Sequence, residues 1–177
     1  MTSIIKVDTI QTSAGGTPTA SSLGIGGVGK IGQVVTGTYT GSGNTSSSSF
    51  VDTGAGVFSI TPSSTSSKIL IDFGCSPHVN TGSASNNTLR GLFTIYRDIN
   101  GGGYSNLATS TGIAINRVGD SMPYSNTQDI TLRVKIADTP NTTSQVNYKL
   151  YYATTAGDVY YNLYGNTHTV TLMEVLA

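Results

Sequence analysis

Ile130-Thr131-Leu132-Arg133-Val134-Lys135-Ile136-Ala137 is the stretch whose reading decides the fold. Leu132, Val134 and Ile136 alternate with Thr131, Arg133 and Lys135, a period of two that puts branched apolar side chains on one face and polar ones on the other. Such a strand is buried on one side and wet on the other. Parallel strands are covered on both faces and need helical crossovers, so this alternation predicts antiparallel pairing. No candidate crossover helix is present, since Thr, Ser, Gly, Val, Ile and Tyr dominate over the helix formers.

Working outward, strand-like runs recur at fairly regular spacing, separated by Gly, Ser, Asn and Pro clusters, the pattern of a sandwich or jelly roll. The runs are Ile31–Tyr39, Ser49–Thr53, Val57–Ile60, Lys68–Ser76, Arg90–Ile99, Tyr104–Thr109, Gly112–Val118, Val146–Ala153, Val159–Tyr164 and Thr169–Leu176. Asn100-Gly101-Gly102-Gly103 predicts a hairpin between Arg90–Ile99 and the run from Tyr104, with Gly112–Val118 continuing the meander. Thr40-Gly41-Ser42-Gly43-Asn44 reads as a loop. Val146–Ala153 is expected to pair with Ile130–Ala137 across Asp138-Thr139-Pro140-Asn141-Thr142. The expected core is Val34, Ile69, Ile71, Phe73, Phe93, Ile95, Leu132, Val134, Ile136, Leu150, Val170 and Leu172.

Residues 1–30 read differently. Ile5, Val7 and Ile10 alternate with polar residues, and a stretch rich in Gly, Ser, Thr and Ala follows, with too few large side chains to bury a core. This part is expected to be an extended docking arm, with Ile4, Ile5, Val7 and Ile10 as its anchoring residues and Gly24–Gly29 as a hinge. Residues 31–177 form the β-sandwich head.

Composition narrows the function. Nine Lys+Arg balance nine Asp+Glu, and only 10% of the residues are charged. No basic run or stripe is present to neutralise phosphates, so nucleic acid is excluded as a partner. No apolar stretch approaches the ~20 residues that span a bilayer, and the opening residues lack the apolar core of a secretory signal. A soluble chain with no membrane insertion is expected. Cys75, the one cysteine, sits in an apolar run and reads as a small buried hydrophobe.

Catalytic and cofactor motifs fail on context. Gly24-Ile25-Gly26-Gly27-Val28-Gly29-Lys30 has the spacing of a phosphate-binding loop. It lacks the preceding buried strand, the following helix and the Ser or Thr after the Lys. His78 and His168 stand apart from other ligating residues, so no metal is assigned; a His near a three-fold axis is the one arrangement that spacing leaves open. No Ser is set in a nucleophile elbow, and the carboxylates are scattered. The expectation is a non-enzyme without cofactor.

Tyrosine is the residue that stands out. Six of the ten, Tyr148, Tyr151, Tyr152, Tyr160, Tyr161 and Tyr164, fall in one stretch. On a strand Tyr148 and Tyr152 share the face of Val146 and Leu150, the core side, while Tyr151 lies opposite with Asn147 and Lys149. Tyr151, Tyr160, Tyr161 and Tyr164 are the candidates for a receptor or interface surface, since a phenol offers apolar area and a polar tip together.

Ser3-Ile4-Ile5-Lys6-Val7-Asp8-Thr9-Ile10-Gln11-Thr12 followed by Gly15-Gly16-Thr17-Pro18-Thr19 resembles an N-terminal segment of structural proteins of tailed bacteriophages, marine cyanophages especially. Tyr96-Arg97-Asp98 before the glycine hairpin, Asp138-Thr139-Pro140-Asn141-Thr142-Thr143-Ser144 leading to Tyr148-Lys149-Leu150, and Thr169-Val170-Thr171-Leu172-Met173-Glu174-Val175 resemble the tip domain of phage tail fibres. The resemblance implies a virion structural protein, a homotrimer assembled in the bacterial host cytoplasm. Its arm would dock on other virion proteins, and its jelly-roll-like head would meet a host surface glycan or protein. Unlike a long fibre, the chain has no shaft repeat between arm and head, which fits a short tail fibre, a head fibre or a capsid decoration protein.

Overall fold

The structure, a computed structural model, describes residues 29–80, 89–108, 112–118 and 127–176. The anchoring residues Ile4, Ile5, Val7 and Ile10 and the hinge up to Val28 lie outside these. Fourteen strands and no helix occur among the described residues: β1 (Ile31–Tyr39), β2 (Asn44–Thr45), β3 (Val51–Asp52), β4 (Phe58–Ile60), β5 (Lys68–Cys75), β6 (His78–Asn80), β7 (Leu89–Ile99), β8 (Ser105–Asn106), β9 (Ala114–Val118), β10 (Thr127–Asp129), β11 (Leu132–Asp138), β12 (Val146–Thr154), β13 (Asp158–Tyr160) and β14 (His168–Val175).

Strand order resolves these pieces into a simple plan. One set of strands runs β1-β14-β5-β11 and another β2-β13-β6-β10. Each strand of the second set lies next in the chain to its counterpart in the first, so the two are one four-stranded sheet interrupted by a break. This is the first sheet. The second sheet places β3 and β4 along one edge of β12, with β7 on the other side of β12 and β8 and β9 along the outer edge of β7. Numbered as eight chain segments, the sheets read 1-8-3-6 and 2-7-4-5, the order of an antiparallel jelly roll.

The core lies between the sheets. Ile69, Ile71, Phe73, Val134, Val170 and Leu172 project from the first, and Phe93, Ile95, Val146, Tyr148, Leu150 and Tyr152 from the second. Phe58 meets the Phe73 ring edge-on, with centroids 5.4 Å apart. Cys75 is fully buried, and burial pushes its thiol up to about 12, so it stays a neutral small side chain.

Several expectations are corrected. β11 pairs with β5, Val134 facing Phe73, and β12 pairs with β7, so residues 139–145 cross between sheets rather than turn a hairpin. Alternation fixes which face of a strand is buried but not which neighbour it finds. Val34 is 50% exposed, because a register shift between Ile31 and Val34 turns Gln33 and Val35 inward instead; Leu132 and Ile136 are half-buried. β9 returns along β7 rather than pairing with β8, and the predicted loop at 40–44 ends in strand β2. Gly29 and Lys30 are fastened to the end of the head: the Gly29 amide donates to Leu176 and the Leu176 amide to Lys30, both at 2.7 Å. The predicted hairpin is present, with Asn100 and Gly101 at φ of 50° and 80°, the left-handed pair that a tight turn requires.

Two buried carboxylates fasten the strands, Asp138 across the two layers and Glu174 within the first sheet and to the loop before β5. Asp138 accepts from Arg97 and from the Tyr148 hydroxyl, each at 2.8 Å. Glu174 is 1% exposed, and burial alone would raise its pKa. Donation from Gln33 at 2.8 Å and from the Ser63 amide and hydroxyl at 2.6 and 2.7 Å outweighs that and holds it at about 2.

Candidate binding face

The side of the second sheet that faces away from the core carries an aromatic cluster. In β12, Tyr148 and Leu150 point inward, so Asn147, Lys149 and Tyr151 point outward. Register then sets their neighbours: Lys149 lies opposite Tyr96 and Asn147 opposite Asp98. Tyr96 and Tyr151, diagonal across the two strands, stack with centroids 3.8 Å apart and planes 16° from parallel. Tyr104, delivered by the glycine hairpin, sits 6.5 Å from Tyr151.

Lys149 organises the cluster. Its Nζ lies 2.7 Å from Asp52 Oδ2 and 4.8 Å from the centre of the Tyr104 ring, an ion pair and a cation–π contact made by one ammonium. The hydrogen bond to Asp52 raises the lysine pKa, so the charge persists at neutral pH. Burial raises the phenols of Tyr151 and Tyr104, and Asp52 adds to both shifts, so they remain hydroxyl donors. Asp98 fixes the hairpin beneath Tyr104 by accepting from the Asn147 amide at 3.0 Å and from the Gly103 and Gly101 amides at 2.8 and 3.1 Å. The result is a held surface of half-buried rings and polar tips, suited to a polar ligand with apolar faces.

The four tyrosines expected at a surface do not come together. Tyr151 is in the cluster. Tyr160 is half-buried and meets His78 edge-on at 5.6 Å, where His78 Nδ1 lies 2.7 Å from Asp129 Oδ1. Tyr164 is 69% exposed on a turn that Asn162 holds through the Gly41 and Asn166 carbonyls. Tyr161 is a correction: at 1% exposure it belongs to the core, edge-on to Tyr152 at 5.7 Å and 6.0 Å from Tyr39. Burial alternates from Asp158 through Tyr161, so Tyr161 shares the core side of Val159 while Tyr160 lies on the other side. Tyr96 and Tyr104 escape a reading based on local clustering. Their signal is the outward position of Tyr96 in its strand and the closeness of Tyr104 to the glycine turn.

His168 packs on Tyr39 with centroids 5.6 Å apart and planes tilted by 44°, and burial followed by the nearby Arg133 lowers its pKa. No group of three or more metal-ligating side chains occurs among the described residues.

Fold and face together define an antiparallel jelly roll with an aromatic outer surface. No family model matches the chain, and no curated protein matches it. Similar solved structures include a Gx strain of infectious bursal disease virus, with TM-score 0.37 and 12% identity over 82% of this chain and 33% of that one. A T13 particle of the same virus has TM-score 0.36 and 13% identity over 83% and 36%. A mutant VP2 protein of that virus, in derived T=1 particles, has TM-score 0.34 and 14% identity over 83% and 37%. The chain thus spans about a third of the length of these structures.

Proposed function

We propose that the chain is a non-enzymatic structural protein of a tailed-phage virion. It is a homotrimeric short tail fibre whose arm docks on the particle and whose head contacts the host cell surface. The observation that carries the contact is the cluster of Tyr96, Tyr104 and Tyr151 around Lys149, built on two adjacent strands and held by Asp52 and Asp98. Phenol faces and tips suit a surface glycan. The resemblance of residues 3–19 to a phage structural segment supports the docking role of Ile4, Ile5, Val7 and Ile10.

The test is binding of purified full-length protein to host cells and to their extracted polysaccharide. Tyr96→Ala and Tyr151→Ala should each weaken binding at least about tenfold, the scale of one hot-spot side chain. Undiminished binding by both would sink the attachment reading.

A capsid decoration protein is the second reading, favoured by one observation. Gly29 is hydrogen-bonded to Leu176, so an arm would leave directly from the end of the first sheet, which suits a head held close to the surface it docks on. A particle map separates the two by location on tail or capsid lattice.

A further inference from the structure

The outer side of the first sheet carries a second feature, independent of the tyrosines. Val34 pairs with Met173, Met173 with Leu70, and Leu70 with Ala137, so one apolar row crosses all four strands. Ile31, paired with Val175, extends it toward the arm. Ile31, Val34 and Leu70 are 57%, 50% and 43% exposed, three of the five large apolar side chains so exposed among the described residues. A concave space of about 440 Å³ lies over Leu70, Asp72, Lys135, Ala137, Thr171 and Met173. Asp72 Oδ2 takes Arg133 and Lys135 at 2.7 and 3.1 Å, while Asp72 Oδ1 is buried with no partner among the described residues.

We propose that this face is where copies of the chain meet. In a three-fold assembly the first sheet then faces the axis and the tyrosine face looks outward. The inference rests on the self-association in the proposed function and names the surface that performs it.

Three observations select a second copy as the occupant. Four strands about 4.8 Å apart and about eight residues long present roughly 500 Å² in projection, so two copies cover about 1,000 Å², the size at which an interface becomes specific. The same face carries Thr36 and Thr171 as neighbours in the row beside the apolar one. A facing copy can meet these hydroxyls with its own, so the apolar row is flanked by groups that pair across a seam without burying unmatched charge. Finally, Gly29, where the arm leaves the head, is fastened to Leu176 at the apolar end of this sheet. Copies joined here bring their arms out together, as one docking point requires.

Light scattering on the full chain tests this over a range of concentrations. Wild type should have a multiple of the single-chain mass, and Val34→Asp/Leu70→Asp should fall to the single-chain mass, with Tyr151→Ala as an associating control. A multimeric wild type whose double variant keeps its mass would overturn this assignment and leave self-association standing. A wild type with single-chain mass throughout would overturn both. If the double variant keeps its mass but loses only particle incorporation, the face belongs to another virion protein and the proposal fails. Should the variant not fold, Leu70→Cys supplies a second readout, since buried Cys75 leaves the new thiol alone to react. Its maleimide labelling should be at least about tenfold slower in the associated protein than after dilution, as a closed interface shields its core; equal rates overturn the proposal.

Discussion

The Tyr148 hydroxyl in one sheet donates to Asp138 at the end of the other, at 2.8 Å, and Arg97 reaches the second oxygen of the same carboxylate. Three stretches that resemble fibre tips therefore converge on one point: Tyr96-Arg97-Asp98, the loop opening at Asp138, and Tyr148-Lys149-Leu150. Between them they close the core at that end. Within the first of these stretches the labour divides by strand alternation. Tyr96 serves the outer face, Arg97 the interior and Asp98 the turn.

Removing Asp138 leaves a largely buried guanidinium and a buried phenol without their acceptor. Asp138→Ala should destabilise by about 2–3 kcal/mol, and Tyr148→Phe, which deletes one donor and keeps the ring, by about 1 kcal/mol. Urea unfolding of the two variants checks the ranking. Equal losses would mean that the carboxylate works only through Tyr148.

The register shift in β1 makes neighbouring valines unequal. Leu172→Ala should cost about 2–5 kcal/mol, because its side chain fills the space between the sheets. Val34→Ala, outside the core, should change the stability of the isolated chain by less than about 0.5 kcal/mol. Thermal melts at low protein concentration, where association does not contribute, make the comparison.

Acid should act through Glu174. Its folded pKa, about 2, lies below the ordinary value of 4.5. The stabilisation is therefore present above 4.5 and is lost as pH falls toward 2. Glu174→Gln should flatten the fall in stability across that window without abolishing it, since Asp72 and Asp98 are also lowered. A variant with the wild-type slope between pH 4.5 and 2 would show that the buried carboxylate is not the acid-sensitive group.

Gly91 marks a close approach between the sheets. A Cβ there would meet Val159 Cγ2 at 2.6 Å and Val79 Cγ1 at 3.1 Å. Gly91→Ala should destabilise by about 1–3 kcal/mol through overpacking, and Gly91→Ala/Val159→Ala should recover part of the loss. Denaturant midpoints of the two variants decide it.

Much of this architecture is legible in the sequence, for a local reason. Ile31–Tyr39 is one strand, and Asn100–Gly103 turns the hairpin from β7 to β8, because alternation and left-handed φ are properties of adjacent residues. The partner of β11 is not legible in this way. Residues 139–145 have the composition of a hairpin whether they return to the same sheet or cross to the other. The binding face is half legible for the same reason. Tyr151 points outward by parity alone, whereas its stacking on Tyr96 depends on the β7–β12 register, a relation between residues 55 positions apart in the chain. Tyr161 is legible by parity with the apolar Val159 two residues before it, a signal that a reading based on the clustering of tyrosines passes over.

The fastening of Gly29 and Lys30 to Leu176 has a mechanical side. A head held by its arm and tugged from the opposite end is loaded along the axis of β1, whose pairs with β14 run from Ile31–Val175 to Tyr39–His168. Force applied lengthwise stretches those hydrogen bonds together, in shear, instead of unzipping them one after another. Pulling from residue 29 is thus resisted by a whole strand ladder, in the direction along which the sheet yields least.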